Sequence, residues 1–163
     1  MTLRNCLRLA LSAALCLAFN QTALAVSKAR DFTLPTDSGK VELSQFKGKV
    51  VYLDFWASWC PPRRKSFPWL NEMQKRYGEQ GFAVIAVNLD KTHDLADRFL
   101  SKYPAEFTVA YDPDGRVAEQ YHVQGMPSSF FIDRKGRIRE IHMGFRTEDT
   151  SQLEDTLQSL LVQ

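Results

Sequence analysis

Cysteine is scarce in this chain: of 163 residues only Cys6, Cys16 and Cys60 carry a thiol. Charge of either sign is also not in excess, with 21 Lys and Arg against 19 Asp and Glu. That near-balance argues against a nucleic-acid binder, which usually shows a basic surplus. There is no internal repeat and no low-complexity linker. The three histidines, His93, His122 and His142, are scattered and show no ligand spacing, so no metal site built from protein side chains is expected. No motif calls for a cofactor.

What is present begins with a leader. Arg4 and Arg8 supply a positive start, Leu9 to Phe19 an apolar run, and Ala23-Leu24-Ala25 a small-x-small cleavage site, the pattern of a secretory signal peptide. The apolar run is about half the ~20 residues that a membrane span requires. Residues 1–25 are therefore expected to be removed after Ala25, leaving one domain, residues 26–163, in a periplasmic or secreted setting. Removing 25 of the 163 residues leaves 138, enough for a core of its own. The leader takes two of the basic residues and none of the acidic ones, so nineteen of each remain. It also takes Cys6 and Cys16. Cys60 is then alone in an oxidising compartment, and no intramolecular disulfide is available.

The chain is organised around Val50 to Pro68. Val50-Val51-Tyr52-Leu53 is apolar, β-branched and aromatic, and reads as a buried strand. Phe55-Trp56-Ala57-Ser58-Trp59-Cys60 follows, then Pro61 and Pro62, then a helical pattern. Proline suits the first turn of a helix because its missing N–H would be unpartnered there. Cys60 is thus placed at a strand-to-helix junction, where unpaired N–H groups and the helix dipole favour a thiolate.

Trp59-Cys60-Pro61-Pro62, with Arg64 and Pro68 behind it, resembles the active-site segment of thioredoxin-like proteins, specifically the secreted TlpA/ResA-like thiol–disulfide oxidoreductases. That family carries W-C-x-x-C, and here the second cysteine is replaced by Arg63. Val123-x-Gly125-Met126-Pro127-x-x-Phe130 resembles the family's second hallmark, a loop ending in a cis proline. The resemblance implies that Met126-Pro127 is the cis bond, that Met126 lies beside Cys60, and that this turn pairs with extended substrate. It also implies that Asp54 matches the buried proton acceptor of the resolving cysteine, a role left without its client here. Trp59, Pro61, Pro62, Met126 and Pro127 are the implied substrate-binding residues, with Trp59 a partly exposed platform and Trp56 core filling. Cys60 and Met126 would offer a soft Cu(I) ion only two ligands.

The rest of the chain fits an α/β thioredoxin fold: a mixed central sheet flanked by helices, an N-terminal β-hairpin and an inserted βα element. The hairpin turns at Asp37-Ser38-Gly39-Lys40. A helix over about 62–77 contains Pro68, which should kink it. Phe82 to Leu89 reads as a strand buried on both faces, parallel to the first through a right-handed crossover. A second helix starts near His93 and ends at Tyr103-Pro104, and 107–111 is a short strand. A helical turn at 116–121 precedes strands at 128–132 and 138–142. Ser151-x-x-Glu154 reads as the capping box of a last helix carrying Leu153, Leu157, Leu160 and Leu161.

Arg63 divides the functional readings. A lone Cys60 can attack a disulfide but cannot resolve the product. Arg63, one helical turn on, is expected near the sulfur, and a nearby cation lowers a thiol pKa below the usual ~8.5. The first reading is a monothiol exchange protein acting on protein thiols, with Cys60 and Arg63 catalytic and an external thiol or membrane reductase completing the cycle. A Cys60-linked homodimer also stays open. The second is a binding module or chaperone that keeps the cis-proline groove without turnover. A thiol peroxidase ranks last, because Ala57 stands where a Thr or Ser would be needed. Ser128, in place of Glu after the proline, sets the chain apart from cytochrome c maturation thioredoxins.

Overall fold

The computed structural model describes residues 27–163; the expected leader and its cleavage point lie outside the described residues. Eleven elements follow in order: β1 Thr33–Thr36, β2 Gly39–Glu42, β3 Val50–Trp56, α1 Arg63–Tyr77, β4 Phe82–Asn88, α2 His93–Leu100, β5 Thr108–Tyr111, α3 Arg116–Gln120, β6 Ser128–Ile132, β7 Ile138–Met143 and α4 Thr150–Leu161. β1 and β2 form a separate antiparallel hairpin, and the other five strands make one mixed sheet in the order β5-β4-β3-β6-β7. β3 pairs in parallel with β4 and antiparallel with β6. This is the expected thioredoxin fold.

β3 is the central strand, and every one of its residues is buried. That follows from its composition, since a strand covered on both faces needs apolar side chains at successive positions. Val51, Leu53 and Phe55 face a core closed by the hairpin and α3. Val50 and Tyr52 face the other, closed by α1 and α4. Asp54 is the one acidic residue in the run and is therefore the position that must find a partner. Trp56, at the end of the strand, fills a third cluster with Phe67 and Phe99 and is fully buried.

One expectation needs revision. The last helix begins at Thr150, fed by a 3₁₀ turn over Thr147–Asp149, so Ser151 is already inside it and caps nothing. Glu154 faces α1 instead, where it accepts the Tyr77 hydroxyl and pairs with Arg76. The second helix runs to Leu100 and its last turn carries on past it, with Ser101 helical and the Tyr103 N–H donating to the Phe99 carbonyl at 2.9 Å, so the chain turns away at the expected Tyr103-Pro104 pair. α1 continues through Pro68 as one helix, starting at Arg63 with Pro62 as its N-cap.

The β6–β7 turn is held by one carboxylate. Asp133 is buried, and its oxygens accept the N–H groups of Lys135 and Arg137 at 2.9 and 3.0 Å and the guanidinium groups of Arg137 and Arg139 at 2.8 and 3.2 Å. Burial alone would push its pKa up, but these donors outweigh it and hold the carboxyl below the usual aspartate value. Its stabilising effect is therefore complete above the unfolded pKa of about 3.9 and is lost as pH falls through the lower folded value. Asp133→Asn is expected to cost about 1–3 kcal/mol in urea unfolding at pH 7. The difference from the unaltered protein should shrink below about pH 4, where the carboxylate itself takes up a proton.

Candidate active site

Cys60 lies in the short connection between β3 and α1. Its N–H donates to the Ala57 carbonyl at 3.1 Å, and its own carbonyl accepts the N–H of Arg63, the first residue of α1, at 3.2 Å. The sulfur is therefore at the mouth of the helix, as the paired prolines imply. Pro61 is exposed and Pro62 half-buried, while Trp59 stands out at 66% exposure.

Cys60 is only 4% exposed. Burial is the largest influence on Cys60 and pushes its pKa above that of an ordinary thiol. The positive charge of Arg63 acts in the other direction, and Asp54 adds to the upward push. The expectation of an acidic Cys60 is thus corrected. The cation is in place, but desolvation of the sulfur and a nearby carboxylate outweigh it.

Asp54 does have a client, and it is Arg63. The guanidinium is 1% exposed and makes a two-pronged ion pair with the Asp54 carboxylate, through Nη1 to Oδ2 and through Nη2 to Oδ1 at 3.2 Å. Nη2 also donates to the Phe55 carbonyl at 3.2 Å and Nη1 to the Ser66 hydroxyl at 3.4 Å. Ser129, opposite Asp54 on β6, donates its hydroxyl to Oδ1 at 2.8 Å. Only Nε–H of the guanidinium lacks an oxygen partner. The fork geometry of arginine matches a carboxylate in a way that a lysine would not. The side chain is therefore a fixed charge rather than a waving one.

The cis-proline loop leads into β6 at Ser128, which pairs with Phe55 near the end of β3. The Met126–Pro127 bond is cis. Pro127 is buried and Met126 half-buried. The Pro127 carbonyl accepts the N–H of Gly144 at 2.8 Å, which ties the loop to the end of β7. Ser128 is buried and returns its hydroxyl to the Gly125 carbonyl at 2.7 Å.

Sequence reasoning missed Asp90. This buried carboxylate accepts the Ser58 N–H at 2.9 Å and the Ser58 hydroxyl at 3.0 Å, and it is held in turn by the Asn88 amide at 2.8 Å. It thereby pins the loop that carries Trp59 and Cys60. The signal was available in the register: β4 runs beside β3 with Asn88 opposite Trp56, so polar residues at its end fall against the active loop. The histidines are elsewhere. His93 bridges Asp37 and Asp97, and His142 lies 3.6 Å from Asp149.

The Asp54–Arg63 pair makes a directional prediction for the thiol. Asp54→Asn removes the carboxylate that opposes Arg63, so the pH midpoint of Cys60 alkylation by iodoacetamide should move down. Arg63→Met should move it up, and because it strands a buried carboxylate it should also cost about 3–5 kcal/mol of stability. Midpoints that coincide in all three proteins would show that neither residue acts on the sulfur.

Comparison with known proteins agrees with this geometry. Residues 24–157 match the Redoxin family. The chain is 38% identical over 121 residues to thiol-disulfide oxidoreductase ResA of Bacillus thuringiensis subsp. konkukian (strain 97-27), covering 74% of this chain and 69% of that one. It is 36% identical over 123 residues to ResA of Bacillus subtilis (strain 168), covering 75% and 69%. A crystal structure from Chlorobium tepidum, assigned as a thiol:disulfide interchange protein DsbE, superposes with a TM-score of 0.82 at 53% identity, covering 83% of this chain and 96% of that one. The family match, the relatives' identity and the shared fold together place the chain in the Redoxin family, among the thioredoxin-like, ResA-type thiol–disulfide oxidoreductases.

Proposed function

We propose that the protein is an extracytoplasmic, periplasmic or secreted, monothiol exchange protein acting on protein thiols and disulfides through Cys60. The observation that carries this reading is the fixed Arg63 guanidinium, set beside the sulfur where the family pattern has a second cysteine. It supplies a counter-charge to the thiolate and removes the resolving group at once.

The cycle balances without a net change of oxidation state. Deprotonated Cys60 attacks one sulfur of a substrate disulfide; a bond forms between Cys60 and that sulfur, and the other leaves as a thiolate that takes up a proton. An external thiol, free or carried by a membrane reductase, then attacks the mixed disulfide and returns Cys60. The substrate ends with one sulfur exchanged for that of the incoming thiol. Trp59, Pro61 and Pro62 border the thiol, and Met126 and Pro127 offer the backbone against which an extended substrate lies. The high pKa enforced by burial makes the first step faster as pH rises.

The same burial favours a second reading, a groove that binds extended chains without turnover. The test uses a protein substrate with scrambled disulfides, with and without added glutathione. The exchange reading expects reshuffling that needs the added thiol and is abolished in Cys60→Ser. In Arg63→Cys, release of the mixed disulfide should no longer need glutathione. Suppression of substrate aggregation that persists unchanged in Cys60→Ser, with no reshuffling in the unaltered protein, would establish the binding reading instead.

A further inference from the structure

β7 ends the sheet, and among the described residues its outer edge is met only near its start, where Lys28 bridges Arg137, the Ile138 N–H donates to the Ser27 carbonyl and the Ala29 N–H to the Gly136 carbonyl, both at 2.8 Å. Side chains alternate along it. Glu140 and His142 turn toward α4 and the 3₁₀ turn before it, where Thr156 and Asp149 meet them. Ile141 and Met143 turn to the opposite face and are 58% and 70% exposed. A trough of about 300 Å³ lies on that face, with Phe130 and Ile138 in its floor and Val123 at its side. Isolated exposed apolar residues are ordinary, but these are neighbours on one strand beside a cavity.

The two ends of the trough differ. One end is formed by Ser128 and Met143, which face each other across the β6–β7 pair directly after cis Pro127. The other is formed by Lys28 and Arg30, at the start of β7. No acidic residue among the described ones lines it. From Met143 back to Ile138 is five strand residues, about 17 Å.

We propose that this trough is the specificity groove for an extended segment of the substrate polypeptide, one that carries apolar residues next to its reactive sulfur and a carboxylate about five residues away. The proposal rests on the Cys60 exchange reading. Ser128 lines the trough and pairs with Phe55, five residues before Cys60, so a segment joined to Cys60 is placed to run past the proline loop and into the trough. Apolar side chains lie over Ile141 and Met143, and the carboxylate reaches the paired cations. The charge arrangement selects against basic segments, which meet Lys28 and Arg30 with like sign.

The test separates binding from chemistry. Fluorescein-labelled peptides with a central serine in place of cysteine, leucines beside it and a glutamate five residues before or after it are titrated into the full chain by fluorescence anisotropy. One of the two should bind, and replacing its glutamate by lysine should weaken binding at least tenfold. Met143→Glu and the double change Lys28→Glu, Arg30→Glu should each do the same, with the latter binding the lysine peptide better than the glutamate one. No binding of either glutamate peptide, or binding indifferent to these changes, overturns the proposal, including the case where the chain's own first residues fill the groove. Reaction of the unaltered protein with dithiobis(nitrobenzoate) is followed beside it. Silence there together with charge-dependent peptide binding would sink the exchange reading and leave the groove standing.

Discussion

The ion pair between Arg63 and Asp54 is what the active end of this molecule depends on. Asp54 sits in the middle of a strand with no exposed position, so its charge has to be answered within the fold. Arg63 answers it from the first residue of α1, and Ser129 answers it from the neighbouring strand. Strand, helix and the β6 side of the sheet thus meet at one carboxylate. Such pairs are weak evidence for stability, because the cost of taking two charges out of water is comparable to their attraction. Their effect is on geometry, and here they fix where a positive charge stands relative to one sulfur.

The same pair explains why Cys60 is not the acidic thiol that a nearby arginine suggests. A guanidinium already neutralised by a carboxylate offers the sulfur only part of its field. The thiol is also nearly dry, which disfavours its charged form. The groups around the sulfur thus set how readily it ionises, and their balance lies on the side of the thiol. Asp90 adds a mechanical element by pinning Ser58 and with it the loop that carries Trp59 and Cys60.

Much of this was legible in the residues. β3 and β4 announce themselves as apolar runs, and their parallel pairing follows from the helix between them. The hairpin, Cys60 at the helix mouth and the proline loop were readable from turn residues and from the family resemblance. What was not legible depended on contacts across elements. Asp54 and Arg63 are nine positions apart, on a strand and a helix, and no periodicity links them. The burial of Cys60 arises from packing that local sequence does not describe. Ser151 and Glu154 have the spacing of a capping box, yet a 3₁₀ turn moved the helix start and gave Glu154 to α1. Local patterns of this kind specify a cap only when nothing upstream extends the helix.

Arginine in place of the second cysteine has one more consequence. A dithiol protein has a reduction potential of its own, because both sulfurs of the couple belong to it. In residues 27–163 Cys60 is the only cysteine, so there is no such internal couple. Any disulfide it forms is an adduct, and the poise of that adduct is set jointly with whatever thiol is attached. Such a molecule carries no fixed oxidising or reducing strength from one encounter to the next; it takes on the redox character of its last partner.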